Sequence, residues 1–172
     1  MPSVPSRFNG LGVGFAPYLI KPSEDVVRWT VGEPGFDTPR PVVDAAIAAL
    51  ERGETHYTRG AGSIELCSKI SEQLNHLWNL STTLETVMVT PGAKQALLYA
   101  MMVTMESGDE MLVPSPAWPT YDGQAGLLGI KPIFTATDEK FHPDLENMKD
   151  SITENTRCIL INSPNNPTGA VY

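Results

Sequence analysis

Strand-like and helix-like stretches alternate along the chain from about residue 86 to its last residue. Short apolar runs predict strands at 86–90, 110–113, 131–136 and 156–161, the last of a buried type, and the longer stretches between them favour helices. Alternation of this kind is typical of βαβ units, whose right-handed crossovers build a mainly parallel sheet. The pattern therefore predicts an α/β fold.

The first half of the chain is less regular. Residues 1–23 combine prolines and glycines without a sustained period, which favours an arm or a loop. Residues 39–50 have helical spacing, and Gly53 is placed to end that helix. A second helix is predicted over residues 63–78, with Ser63 as its N-cap.

The composition excludes several classes of function. The 172 residues include 12 Lys and Arg against 20 Asp and Glu, a formal charge of −8, so nucleic acid and anionic lipid are poor partners. No apolar run reaches the roughly 18 residues that a membrane span needs. Cys67 and Cys158 lack CxxC spacing and the three histidines are scattered, so we expect neither a disulfide framework nor a metal site. A reducing cytoplasm is the expected location.

Three loops contain the most unusual residues of the predicted sheet. They span residues 90–94, 114–119 and 162–169, and each follows a predicted strand. In open parallel sheets, ligands bind beyond the carboxyl ends of the strands. We therefore expect these loops to form the functional site.

The first loop ends a strand and opens a helix with Gly92, Ala93 and Lys94. Small residues let an anion approach the N–H groups of a first helical turn, where the helix dipole favours negative charge. A phosphate is the expected ligand, although a plain strand-to-helix turn has the same residues. The loop does not match GxxxxGK[ST], which disfavours a nucleoside-triphosphate site.

The other two loops add an aromatic ring and an amide. Trp118 stands between Pro116 and Pro119, where its indole could stack on an aromatic ligand or pack in the core. Asn166 precedes a proline, which favours extended geometry and could aim its amide at a phenolic oxygen, or simply form a turn. Anion site, stacking ring and amide together suit a flat, phosphorylated, hydroxylated aromatic cofactor such as pyridoxal 5'-phosphate (PLP).

Five motifs follow one another along the chain, at residues 31–39 (VGEPGFDTP), 56–62 (HYTRGAG), 90–97 (TPGAKQAL), 114–119 (PSPAWP) and 163–171 (SPNNPTGAV). In order and spacing they resemble the first half of the class I/II aminotransferases, which are fold type I PLP-dependent enzymes. The resemblance implies a three-layer αβα architecture with a mainly parallel sheet. It also implies that residues 1–30 form an N-terminal arm and the start of the small-domain region, and residues 31–172 the N-terminal part of the PLP-binding large domain.

The resemblance also implies residues that contact the cofactor. Trp118 would stack on the pyridine ring of PLP, and Asn166 would hydrogen-bond the phenolic oxygen. The phosphate would lie at Gly92, Ala93 and Lys94.

Further residues are implied at the substrate and at a second subunit. Gly32 would lie near the substrate carboxylate, with Trp118 and Asn166 also at the substrate. Tyr57 would reach the phosphate of the neighbouring subunit's cofactor, which implies a homodimer.

Aminotransferase activity is the leading hypothesis: transfer of an amino group from an amino acid to a 2-oxo acid, a step of amino acid metabolism and biosynthesis. A PLP-dependent lyase or a cyclopropane-carboxylate synthase of the same fold is an alternative. So are a non-catalytic remnant that binds a partner, and a nucleotide-binding module.

One family feature has no counterpart in this sequence. The Schiff-base lysine of the family follows the Asn-Pro-Thr-Gly turn, and none of the six lysines, Lys21, Lys69, Lys94, Lys131, Lys140 and Lys149, has its sequence context. Lys94 belongs to the phosphate loop instead. No catalytic residue is therefore assigned among these residues.

A polypeptide that ends at Tyr172 is expected to show no transamination. Transamination needs a lysine that binds the cofactor aldehyde and moves the proton at the substrate α-carbon, and its loss costs orders of magnitude in rate. The test is chromatographic detection of amino acid and 2-oxo acid exchange, with added PLP, by a polypeptide whose mass has been verified. Robust turnover would contradict the prediction.

Overall fold

The computed structural model describes Gly32 and residues 34–172. These residues form two compact units: the helical unit, comprising Gly32 and residues 34–93, and the sheet unit, residues 94–172. The expected N-terminal arm lies outside the described residues. None of the described helices is long and apolar enough to cross a membrane.

The first helix of the helical unit, α1, spans Arg40–Glu51. Pro39 is its N-cap residue and a second proline lies within its first turn, where the missing N–H of proline costs no hydrogen bond. The helix ends at Glu51; Arg52 is its C-cap residue, and Gly53 follows with a φ of 78°. The predicted helix and its terminating glycine are confirmed.

Helix α2 spans Ile64–Trp78 and has the predicted cap. The Ser63 hydroxyl accepts a hydrogen bond from the Leu66 N–H at 3.2 Å. At the other end of α2, Asn79 adopts the left-handed conformation with a φ of 51°. Cys67 is completely buried on this helix.

Residues 86–90 do not form the predicted strand. Val89 donates one backbone hydrogen bond to the Ala61 carbonyl at 2.8 Å, but no β-ladder forms over this segment among the described residues. A strand requires a paired neighbour as well as β-branched residues, and only the second is visible in the sequence.

The sheet unit alternates helices and strands, as the sequence predicts. Both strand pairings in its three-stranded sheet are parallel, and β1 lies between β2 and β3. The α/β prediction is thereby confirmed. Its elements are α3 (Ala93–Thr104, beginning one residue before the unit), β1 (Glu110–Pro114), α4 (Thr120–Leu128), β2 (Lys131–Thr135), α5 (Leu145–Asp150) and β3 (Thr156–Ile159).

Burial identifies β1 as the centre of this unit. All five of its residues are buried, and Met111 and Val113 pack in one cluster with side chains of α3 and α4. Strand β3 was expected to be buried, but its residues alternate between half-buried and exposed, with Ile159 48% exposed. Because successive side chains of a strand point to opposite faces, the alternation means that one face of β3 is more exposed than the other.

Glu110 begins β1 and is a buried carboxylate with partners on two other segments. It accepts hydrogen bonds from the Thr153 hydroxyl at 2.6 Å and from the Lys131 ammonium at 2.9 Å. The Thr153 hydrogen bond, followed by the Lys131 hydrogen bond, lowers the pKa of Glu110 below its ordinary value of 4.5. Glu110 therefore links the beginning of β1 to β2 and to the turn before β3.

We expect Glu110 to make the unfolding free energy depend on acid pH. A carboxyl group with a lowered folded-state pKa stabilises the fold above its unfolded pKa, here 4.5, and this stability is lost as the pH falls through the folded value. Denaturant titrations across this acid range should show a shallower loss in Glu110→Gln than in the parent. Equal pH dependence in both proteins would refute the assignment.

Candidate functional site

The carboxyl ends of β1 and β3 bring two of the three predicted loops together. Both strands run parallel, so residues 115–119 after β1 and residues 160–169 after β3 leave the sheet at the same edge. A hydrogen bond of 3.0 Å joins them, donated by the Asn165 side-chain amide to the Pro116 carbonyl. The loops that contain Trp118 and Asn166 are therefore in direct contact.

The predicted anion loop leads into α3. Gly92 has a φ of 83°, in the left-handed region where glycine is favoured, and its N–H donates to the Thr90 carbonyl at 2.7 Å. Ala93 is the first residue of α3, and Lys94 follows with an exposed side chain. The first N–H groups of an α-helix have no partner within the helix and lie at the positive end of its dipole.

Lys94 and Trp118 lie together in the sheet unit, although 24 residues separate them in the sequence. The Lys94 ammonium is 5.1 Å from the centroid of the Trp118 ring, a cation–π contact. The indole is half-buried and packs against the core cluster. The predicted cation and the predicted ring are thus brought to one place.

Tyr121 holds the indole on another side. The two rings meet edge to face, with centroids 5.5 Å apart and an interplanar angle of 85°. Tyr121 is buried, and burial raises the pKa of its phenol. It remains a neutral packing partner at physiological pH.

Gln124 was not identified from the sequence. Its side chain is buried on α4, and its amide N–H donates to the Lys94 carbonyl at 2.7 Å. This hydrogen bond joins α4 to the first turn of α3, at Lys94. The side-chain oxygen of Gln124 is also buried and has no partner among the described residues.

Asn166 lies exposed in the third loop. Its backbone N–H donates to the Asn162 side chain at 2.9 Å, and its peptide bond to Pro167 is cis. The side-chain amide makes no hydrogen bond to another described residue, so both its N–H groups can reach a ligand acceptor.

The other two predicted site residues belong to the helical unit. Gly32 is exposed, with open space where a side chain would begin. Tyr57 is fully exposed. The loop after it is held in place, because Arg59 donates to the Leu84 carbonyl at 3.2 Å and Val89 to the Ala61 carbonyl.

The predicted cofactor-binding residues match a flat, anionic, aromatic ligand in chemistry. Backbone N–H groups and the Lys94 ammonium are donors for an anion, Trp118 supplies an aromatic face, and Asn166 supplies a neutral amide donor. PLP has a phosphate, a pyridine ring and a phenolic oxygen, one for each of these groups. The residues present therefore fit this cofactor.

The sequence matches a family described as "Aminotransferase class I and II" over residues 24–172. It is 42% identical over 156 residues to the aspartate aminotransferase of Thermotoga maritima, a match that covers 90% of this chain and 41% of the relative. The chain thus spans about two fifths of that relative's length.

Solved structures show the same fold. The aspartate aminotransferase of Thermus thermophilus with maleate is 42% identical, with a TM-score of 0.78 over 83% of this chain and 38% of that one. The aromatic aminotransferase of Pyrococcus horikoshii is 38% identical, with a TM-score of 0.78 over 82% of this chain and 38% of that one. The chain therefore has the fold of part of these enzymes.

Gly62 should be sensitive to substitution, because a Cβ there would lie 3.1 Å from Val89 carbons and Gly62 has a φ of 113°. We expect Gly62→Ala to lower the unfolding free energy by about 1–3 kcal/mol. Gly60→Ala is the matched control, since Gly60 has neither a positive φ nor a neighbour within 4 Å. Denaturant unfolding measures both, and equal losses would contradict the steric explanation.

Proposed function

Because the chain belongs to the class I and II aminotransferases, we propose that it takes part in PLP-dependent transfer of an amino group from an amino acid to a 2-oxo acid. The observation that supports this most directly is the Lys94 ammonium 5.1 Å from the Trp118 ring. It brings a cation at a helix N-terminus to an aromatic face, as a phosphorylated aromatic cofactor requires.

PLP supplies an electron sink for the bonds of the amino acid α-carbon when it is bound. This chain's residues would bind and orient it. Gly92 leaves space for the phosphate, and the N–H groups at Ala93 and Lys94 face the negative charge. Trp118 stacks on the ring and keeps water from one of its faces.

Energy favours Lys94 as a phosphate partner. An exposed cation–π contact stabilises by about 0.5–1 kcal/mol. A hydrogen bond to a charged group contributes about 1.5–3 kcal/mol. A phosphate can therefore compete with the indole for the ammonium, and Lys94 acts as a charge partner of the anion.

Asn166 fixes the orientation of the ring in its plane. An amide N–H donates to the phenolic oxygen and favours its ionised form, because a hydrogen bond to the charged state lowers a pKa. We also assign Trp118 and Asn166 to the substrate side of the site. Gly32 would receive the substrate carboxylate at its backbone, and its open surroundings are consistent with that role.

A homodimer is part of the proposal. Tyr57 is fully exposed, while the loop that follows it is held by Arg59 and Ala61. A rigidly supported, fully exposed phenol is suited to reach a phosphate on a second subunit. We assign the protein to the cytoplasm, since its two cysteines, Cys67 and Cys158, are unpaired.

We expect the cofactor site to bind pyridoxine 5'-phosphate, a PLP analogue without the aldehyde that could react with surface lysines. Trp118→Leu removes the stacking face and Lys94→Met the cation. Each should weaken binding about tenfold, because about 1.4 kcal/mol corresponds to a factor of ten. Isothermal titration calorimetry measures the affinity.

Lys69→Met is the matched control, since Lys69 is exposed on α2 and pairs with Glu72. Pyridoxine without its phosphate should bind more weakly than the phosphate ester, and ATP should not compete. Absence of pyridoxine 5'-phosphate binding, or equal losses in all three variants, would refute the proposed cofactor site.

A further inference from the structure

Asn165 is a buried amide that neither the family motif nor the proposed ligand contacts explain. Only 6% of the residue is exposed, in contrast to the exposed Asn166 beside it. Its backbone closes the turn that follows, donating to the Ala170 carbonyl at 2.8 Å and accepting from the Gly169 N–H at 2.7 Å. The side chain is therefore held by a rigid backbone.

The Asn165 side chain extends from its own loop to the neighbouring one. Its amide nitrogen donates to the Pro116 carbonyl at 3.0 Å and to the Thr168 hydroxyl at 3.0 Å. A carbonyl oxygen can only accept, so the nitrogen of the amide must face Pro116. The orientation of this side chain is thus determined by its chemistry.

This hydrogen bond is the only one that joins residues 115–119 to residues 162–169 within the described part of the chain. Ser115 is instead attached to the end of β2, through its N–H to the Thr135 carbonyl, and to the segment after β2, through its carbonyl, which accepts from the Thr137 hydroxyl. The loop after β1 is therefore anchored at its beginning to β2, and at Pro116 to the loop after β3.

We propose that Asn165 is a positioning residue that sets the Trp118 ring relative to the Asn166 amide. Pro116 stands two residues before Trp118, and Asn165 directly precedes Asn166, so one part-buried hydrogen bond links the backbone segments that present both groups. The inference rests on the proposed function, because that function requires the spacing. A rigid cofactor ring would have to stack on Trp118 and accept a hydrogen bond from Asn166 at the same time.

The first measurement needs no cofactor. In a background of Trp29→Phe and Trp78→Phe, Trp118 is the only tryptophan, and acrylamide quenching reports its exposure. Asn165→Ala removes the link to Pro116 and should raise the quenching constant of Trp118. Thr168→Val is the matched control: it removes both hydrogen bonds that the Thr168 hydroxyl accepts within the turn, from Asn165 and from the Ala170 N–H, and keeps the bond to Pro116, so quenching should stay at the parent value.

Asn165→Asp separates shape from hydrogen bonding. An ionised carboxylate has almost the same shape but cannot donate to Pro116, so quenching should rise at about pH 8. Burial against the Pro116 carbonyl should raise the pKa of the introduced carboxyl group above the ordinary value of about 3.9. Protonation restores one donor, so quenching should fall towards the parent value as the pH is lowered to about 5. The parent protein, measured at both pH values, corrects for any general effect of acid.

The second measurement is affinity for pyridoxine 5'-phosphate. Without the link to Pro116 the two loops must be ordered when the ligand binds, so binding should be about tenfold weaker in Asn165→Ala, with Thr168→Val close to the parent. Failure of the parent to bind would refute the proposed function, while the quenching series still decides whether Asn165 couples the loops.

Three results would overturn the inference. One is parent-like quenching in Asn165→Ala. Another is an equal rise in Asn165→Ala and Thr168→Val. The third is loss of folding, seen by circular dichroism, in both Asn165→Ala and Asn165→Asp, because the residue would then maintain the fold in general.

Discussion

The central position of β1 determines where the loops that contain Trp118 and Asn166 lie. Both of its neighbours run parallel to it, so the loops that follow β1 and β3 leave at one edge. All five residues of β1 are buried, so neither face of the strand is exposed to water. A shift of its register by one residue would turn apolar side chains away from the core. The register of β1 therefore determines how the loop that contains Trp118 lies against the loop that contains Asn166.

Glu110 and Asn165 stabilise this arrangement at opposite ends of the sheet. Glu110 binds Lys131 and Thr153 where the strands begin, and Asn165 binds Pro116 beyond the point where they end. Each places a buried polar group against partners far away in sequence. Because an unpaired buried polar group costs about 1–3 kcal/mol, such links favour one arrangement of the strands over its alternatives.

Local sequence signals predicted the parts of the fold that depend on near neighbours. The cap of α2 at Ser63, the end of α1 near Gly53 and the opening of α3 at Ala93 are decided within a few residues. The interactions of Gln124 and Asn165 join residues 30 and 49 positions apart, and no local pattern indicates them. The strand predicted at 86–90 was wrong for the same reason, since a strand depends on a neighbour that its own residues do not specify.

Two adjacent asparagines show how one residue type can serve two purposes. Asn165 is buried and both its donors are bound within the protein, whereas Asn166 is exposed and its amide meets no described residue. Burial makes Asn165 unable to turn, because turning would set its carbonyl oxygen against that of Pro116. Because the Asn166 side chain is exposed, its orientation depends on its own backbone, and Asn165 holds that backbone in place. The exposed amide of Asn166, which a ligand can reach, is thus positioned by the buried amide of Asn165, and the motif needs both residues.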